Sequence, residues 1–312
     1  MTTDSQTRES VVKILVTGGD GMLGRALVRR LASGPPDGGA PFRVAGVDLP
    51  DGDLADPAVA ARLLRAHAPD WVVHCAAWTD VDGAEAQFAA ALAANGDATA
   101  HLTRACAAAG CGLTYLSTDY VFDGRGRGGV PTDGYDEDDP RAPLNAYGRT
   151  KAAGEEHVAA LGEAVPWQIV RTSWLFGDGR VNFVKTIRRL LGERETLQVV
   201  DDQRGCPTYA DDLADVLARL VSGRHRGIFH ASNSGACTWH ELARETAAAC
   251  GADPDRVRPC SSAQYPRPAL RPACSILRSR RLEAAGCPPR PPWQDAVARY
   301  VARLASGQVA HP

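Results

Sequence analysis

Tyr147 and Lys151 stand four residues apart in "NAYGRTKAAGE", a spacing that sets both side chains on one face of a helix. A free tyrosine loses its proton only near pH ~10 and is a poor acid–base group at neutral pH. A lysine ammonium beside it favours the phenolate, because opposite charges a few ångströms apart attract by roughly 1–4 kcal/mol. The same ammonium can hold a ribose hydroxyl of a cofactor. Three more hydroxyls crowd "STDYVFDG" at residues 117–124, directly after the apolar run "CGLTYL". Of these, Tyr120 has Gly124 rather than a lysine four residues on, so nothing local makes its phenol acidic. That leaves Tyr147 as the tyrosine with acid–base potential.

A second chemical signal lies at the start of the chain. "TGGDGMLG" sets Gly18, Gly21 and Gly24 in the pattern G-x-x-G-x-x-G, between the apolar run "VVKILV" and the helical pattern Leu23, Leu27, Leu31. Glycines in a strand-to-helix turn let a pyrophosphate approach the backbone, and the helix N-terminus offers it free N–H groups and the positive end of the dipole. Asp48 ends the next apolar run, where an acid can hydrogen-bond an adenosine ribose. "DGDLAD" after it can place Asp53 and Leu54 beside the adenine. No arginine directly follows Asp48, which favours NADH, but the choice between NADH and NADPH stays open.

These groups need a scaffold. "VVKILVTGG", 42–48, 70–77, 112–118 and 167–177 read as strands, and helical patterns at 57–69, 84–109 and 182–191, with a loop then a helix over 141–161, alternate with them. A further helix–strand pair is expected at 211–223 and 227–232. Such alternation predicts an α/β fold, a Rossmann-type doubly wound parallel sheet. Past 233 Pro and Arg become dense, which predicts a smaller C-terminal substrate-binding lobe. The Rossmann part is expected to span 11–173 and about 199–232, and the lobe about 174–198 and 233–305. Residues 1–10 and 306–312 read as flexible tails, and the Gly- and acid-rich run 123–140 as a mobile surface insertion.

Composition narrows the partners. The 312 residues are 44% hydrophobic and 23% charged with a formal net charge of −2, which gives no reason to expect nucleic acid or an anionic membrane. The polar start "MTTDSQTRES" carries no apolar signal segment, so a cytoplasmic enzyme is expected. Nine cysteines without a C-x-x-C pair and eight scattered histidines argue for reduced thiols and no metal site.

The order glycine loop, strand-end hydroxyl, Y-x-x-x-K resembles the extended branch of the short-chain dehydrogenase/reductases. "ILVTGGDGMLG", "CAAWTDVDGAE", "STDYVFDG", "NAYGRTKAAGE", "RTSWLFG", "DDQRGCPTY" and "RPACS" follow in the order of the dTDP-4-dehydrorhamnose reductases, from about residue 12 to 280. The resemblance implies NAD(P)H-dependent reduction of the 4-keto group of a dTDP-4-dehydro-6-deoxy-L-hexose, first of all dTDP-4-dehydro-L-rhamnose. It makes Tyr147 the proton donor and Lys151 its helper, and gives Thr118, where serine is usual, the same substrate oxygen. It places Asp119 and Trp174 against substrate, and Gly21, Met22 and Leu23 around the pyrophosphate. Ala76, Ala77, Trp78 and Thr79 fall on the nicotinamide side. His74 and Cys274 stand where the family often has asparagine, and both read as packing changes. A homodimer is compatible with this reading. The alternatives are a 4-ketoreductase for an antibiotic-pathway deoxysugar, an epimerase with tightly held NAD+, or a non-catalytic subunit resembling the methionine adenosyltransferase regulatory subunit.

Overall fold

The computed structural model describes residues 11–36, 38, 41–129, 134–179 and 181–307. Its centre is a six-stranded sheet of β1 (Val12–Thr17), β2 (Phe42–Val47), β3 (Trp71–His74), β4 (Gly112–Thr118), β5 (Trp167–Thr172) and β6 (Gly227–His230). They lie in the order β6-β5-β4-β3-β1-β2, and every neighbouring pair is parallel. The strands are apolar on both faces because helices cover both sides. Ile14 and Val16 of β1 and Val73 of β3 point into one core; Leu15 and Val72 point into the other.

The longer helices are α1 (Met22–Ala32), α2 (Pro57–His67), α3 (Ala98–Ala109), α4 (Ala146–Ala159), α5 (Phe183–Glu193), α6 (Ala210–Ser222), α7 (Trp239–Ala249) and α8 (Trp293–Ala305). Leu23, Leu27 and Leu31 of α1 meet Leu213, Leu217 and Leu220 of α6 in the first core. Leu63 of α2, Leu102 of α3 and Val158 of α4 fill the second. The helix–strand pair expected after residue 210 is therefore present, with β6 paired to β5.

Strand order reverses between β1 and β3, and a doubly wound sheet binds its ligand at that point, off the carboxyl ends of the strands. Thr17 and His74 end the two strands in register. At Gly18 the chain turns with φ +69°, and an added Cβ would lie 2.6 Å from the Ala76 nitrogen, so the loops after β1 and β3 touch backbone to backbone. The Gly21 N–H donates to the Gly18 carbonyl at 3.0 Å and closes the turn. A Cβ on Gly24 would lie 2.0 Å from that carbonyl oxygen, so only glycine lets α1 start this close beneath the loop.

The rest of the chain builds further cores away from the sheet. Phe176, Leu242, Trp293, Val297 and Tyr300 form one of them. Ile187, Leu191, Ala243 and Ala247 form another with Leu197, Val199 and Val257. Leu197–Val200 pairs in parallel with Val257–Cys260 there.

Three expectations need correction. The strand expected over 167–177 ends at Thr172; Leu175–Phe176 pairs instead with Thr208–Tyr209, because Trp174 turns the chain with φ +48°. The helix expected over 84–109 is interrupted at Gln87 (φ −128°) and again by a π turn over Ala93–Asp97. The run 123–140 is not a surface insertion at its described end: Tyr135, Asp136 and Glu137 are buried. Tyr135 stacks on Phe122 at 4.1 Å and its backbone is tied to Ile276 and Arg278. Residues 130–133 of that run and residues 1–10 and 308–312 of the two tails lie outside the described residues.

Gly24→Ala is expected to destabilise the protein by about 1–3 kcal/mol, the cost of overpacking, and to weaken dinucleotide binding. Denaturant titration and cofactor fluorescence measure the two effects.

Candidate active site

The glycine loop opens α1 with Gly21 at the N-cap, where no side chain caps the helix and no acid lies in the first turn. Free N–H groups at a dipole's positive end, at the switch point, suit a pyrophosphate. Leu23 is buried beneath the loop, and the Met22 side chain lies against Gly177.

Asp48 ends β2 with one oxygen accepting from Leu49 N–H and the other from Asp20 N–H, each at 2.9 Å. It thus tethers the glycine loop, and each oxygen keeps a further lone pair for a hydroxyl. Asp53 is exposed and accepts from Ala55 N–H at 2.9 Å. Leu54 is buried with Val47 and Val59, so packing accounts for its side chain.

Across the switch point, Ala76, Ala77 and Trp78 are half-buried and Thr79 is exposed. The Trp78 backbone is held at both its polar groups by Asn95, whose Oδ1 accepts from Trp78 N–H at 2.8 Å and whose Nδ2 donates to its carbonyl at 3.1 Å. Nδ2 also donates to the Thr150 hydroxyl at 2.9 Å. Asn95 sits in the π turn, a feature frequent at functional sites. The Asn-Gly inside an alanine-rich helical pattern was its only sequence signal.

Thr118 ends β4, and Tyr147 and Lys151 lie on α4, capped by Asn145 through a 2.7 Å bond from Gly148 N–H. Tyr147 packs with Trp78 against Ala84, Ala91 and Ala146, and Tyr120 meets it edge-on at 6.1 Å between ring centroids. Burial raises the Tyr147 pKa above the ordinary tyrosine value and the Asp119 charge adds to the rise, while a hydrogen bond with Thr118 draws it down. The Lys151 Nζ lies 4.1 Å from the Tyr115 ring centroid. Burial pushes its pKa down to about 7 against the pull of Glu155. Burial, more than the lysine charge expected to relieve it, sets the proton affinity of Tyr147 here. Asp119 is buried and accepts from the Thr118 hydroxyl at 3.0 Å. Its pKa rises to about 7 through desolvation, opposed by hydrogen bonds from Ser275 and Thr118. Trp174 is half-buried and stacked on Trp239 at 3.6 Å.

Two carboxylates that the sequence reading passed over organise these groups. Glu155, four residues beyond Lys151 on the same helix face, pairs with Arg171 in the protein interior. Asp82 accepts from the Arg267 and Arg271 guanidinium groups and from Ala269 N–H. Those charges hold its carboxyl well below the usual range. Nearby, Glu85 accepts from Ala146 N–H at 2.7 Å, at the start of α4. The unusual residues at 74 and 274 are packing elements: His74 Nδ1 is 2.7 Å from the Thr17 hydroxyl and burial keeps the ring neutral. Cys274 is buried, with its N–H donating to the Gly124 carbonyl.

Among the described residues no group of His, Cys, Asp and Glu is placed to hold a metal ion. No helix among them is long and apolar enough to cross a membrane.

The chain matches the family described as "RmlD substrate binding domain" over residues 12–306. It is 46% identical to a dTDP-4-dehydrorhamnose reductase of Streptomyces griseus over 91% of each chain. It is 43% identical to a probable dTDP-4,6-dihydroxy-2-methyloxan-3-one 4-ketoreductase of Streptomyces antibioticus, covering 91% of this chain and 92% of that one. In structure it resembles the dTDP-4-dehydrorhamnose reductase of Bacillus anthracis solved in complex with NADP, with a TM-score of 0.85 and 33% identity over 94% of this chain and all of the other. Motif order, sheet topology and whole-length similarity agree, and the chain belongs to the RmlD substrate-binding-domain family, that of the dTDP-4-dehydrorhamnose reductases.

Proposed function

We propose that this chain reduces the 4-keto group of a dTDP-4-dehydro-6-deoxy-L-hexose with NADPH or NADH, first of all converting dTDP-4-dehydro-L-rhamnose to dTDP-L-rhamnose. The observation that carries the reading is the meeting of Thr118, Tyr147 and the Trp78 loop beside the β1/β3 switch point. Gly18, Gly21, Met22, Leu23 and Gly24 would hold the pyrophosphate, Asp48 and Asp53 would face the adenosine end, and Ala76, Ala77, Trp78 and Thr79 would line the nicotinamide. The NADP bound to the Bacillus anthracis relative favours NADPH. The lobe of about 174–198 and 233–305 would hold the dTDP end against Trp174, with the remainder of 11–173 and about 199–232 holding the cofactor.

When bound, the cofactor supplies a hydride to carbon 4, and a proton must reach the keto oxygen for the alcohol to form. Reduction needs the acid form of the phenol, and burial keeps Tyr147 protonated at neutral pH. Thr118 would turn its one hydroxyl proton from Asp119 to the keto oxygen and steady the charge that develops there. Once Tyr147 has given up its proton, the Lys151 ammonium one turn away favours the phenolate left behind. Asp119, neutral or charged near pH 7, orients the Thr118 hydroxyl.

The test is the purified protein with dTDP-4-dehydro-L-rhamnose, following loss of NADPH and NADH absorbance separately and identifying the product. Oxidation of neither cofactor by any 4-keto sugar nucleotide overturns the reading. The similarity to the Streptomyces antibioticus 4-ketoreductase favours a second reading, reduction of an antibiotic-pathway deoxysugar. Faster turnover of such a sugar nucleotide in the same assay would select it.

Tyr147→Phe should lower kcat by at least ~100-fold while cofactor binding persists; near-normal turnover removes Tyr147 from the chemistry. A second expectation concerns stability. With its pKa raised from 3.8 to about 7, Asp119 keeps its proton in the folded chain where the unfolded chain has released it. Below the ordinary value the group costs nothing. Between the two values stability falls as pH rises, and above about 7 the whole cost is present. Relative to Asp119→Asn, the wild-type protein should lose on the order of 4 kcal/mol at most across that window. Denaturant midpoints measured at several pH values check this, and parallel curves would refute it.

A further inference from the structure

Trp174 is held in a way that ordinary core packing does not require. Its φ of +48° lies in the left-handed region, which a bulky side chain adopts only when its surroundings impose it. Trp239 covers one face of the indole, with ring centroids 3.6 Å apart and planes 9° from parallel. Phe183 supports Trp239 in turn, at 4.7 Å and 53°. Gly205 closes on the ring junction: a Cβ there would lie 2.5 to 2.7 Å from Cε2, Cζ2 and Nε1 of Trp174, so the site admits only glycine.

One ribbon carries both jaws. Arg204–Gly205 pairs antiparallel with Cys237–Thr238, setting Gly205 opposite Cys237 and placing Trp239 one residue beyond the pair. Thr238 then caps α7 in a reciprocal capping box with Glu241, and its hydroxyl donates to Asp201 at 2.6 Å. The start of α7 is therefore fixed at the residue that stacks. All three rings stay half-buried rather than buried, and Trp174 follows by two residues Thr172, which pairs with Thr118 at the end of β4.

We propose that Trp239 is a positioning residue for sugar-nucleotide binding, fixing through its stack the single orientation in which Trp174 meets the substrate. This rests on the reading of Trp174 as a substrate-lining residue. Trp239 itself need not touch the substrate, and the dinucleotide loop lies on other elements, so its loss should act on one ligand only.

The test uses Trp239→Leu, Trp239→Phe and Trp174→Leu in the full chain, with KM and kcat measured for the sugar nucleotide and for NADPH. Trp239→Leu should raise the sugar-nucleotide KM about 10- to 100-fold, the scale on which small misplacements act, and leave the NADPH KM unchanged. It should also abolish the exciton circular-dichroism couplet of two stacked indoles. Trp239→Phe, which keeps a stacking ring, should recover most of the lost affinity while the couplet stays absent. An unchanged sugar-nucleotide KM in Trp239→Leu, or equal losses in both Trp239 variants that follow their thermal stability, overturns the inference. If Trp174→Leu raises that KM and Trp239→Leu does not, the inference alone fails. If Trp174→Leu leaves it unchanged, the reading of Trp174 fails and takes the inference with it.

Discussion

Between α4 and the sheet a carboxylate and a guanidinium face each other out of reach of water: Glu155 and Arg171, each side chain 2% exposed. Arg171 donates to both Glu155 oxygens, at 2.9 and 2.8 Å, and Ser117 donates to one of them at 2.6 Å. Its remaining guanidinium nitrogen donates to the Glu137 carbonyl and approaches His230 Nε2, and the Phe122 ring lies 5.0 Å away. A buried pair of this kind contributes little net stability, because desolvation consumes the attraction, yet loss of one partner strands a charge in the interior. Its satisfied hydrogen bonds instead fix geometry. They join α4, β4, β5, β6 and the 134–137 segment at one point. Lys151 lies one turn before Glu155 and Tyr147 one turn before that, so the pair sets how the Tyr147–Lys151 face of α4 meets the end of β4. The Glu155 charge also offsets part of the desolvation that drives Lys151 towards neutrality.

What the sequence made readable was local. The glycine spacing, the strand–helix alternation and the Tyr147–Lys151 interval each follow from periodicity within a few turns, and the observed sheet, glycine turn and helix α4 match them. What it hid depends on partners far along the chain. Nothing near Trp174 announces a left-handed turn, since Gly205 and Trp239 impose it from more than thirty residues away. The acidic, glycine-rich run near 135 looks solvated on composition, yet Tyr135 is drawn in by Phe122 and by backbone bonds to 276–278. Glu155 was visible as the next residue on the Tyr147–Lys151 face, but a surface charge and an interior one look the same in sequence until Arg171 is placed.

The cleft is organised around backbone contacts. Gly18 meets Ala76, Gly24 meets Gly18, and Asn95 holds both polar groups of the Trp78 backbone. At Gly18 and Gly24 the main chain carries no side chain and is kept in place by its neighbours. The titrating groups Asp119, Tyr147 and Lys151 follow β4 or lie on α4, where burial governs their proton affinities.

Asp82 also bears on how the protein is made. The carboxylate is bound by Arg267 and Arg271, the latter 189 residues further along the chain, and Asn145 at the head of α4 donates to the Leu270 carbonyl. A chain leaving the ribosome can complete β1 to β4 and the glycine turn early. It cannot close this clasp until residues 267–271 have emerged and returned to a carboxylate made near the beginning. The clasp therefore closes late in synthesis: a chain clipped before residue 267 would still contain all six strands of the sheet and lack both arginine partners of Asp82.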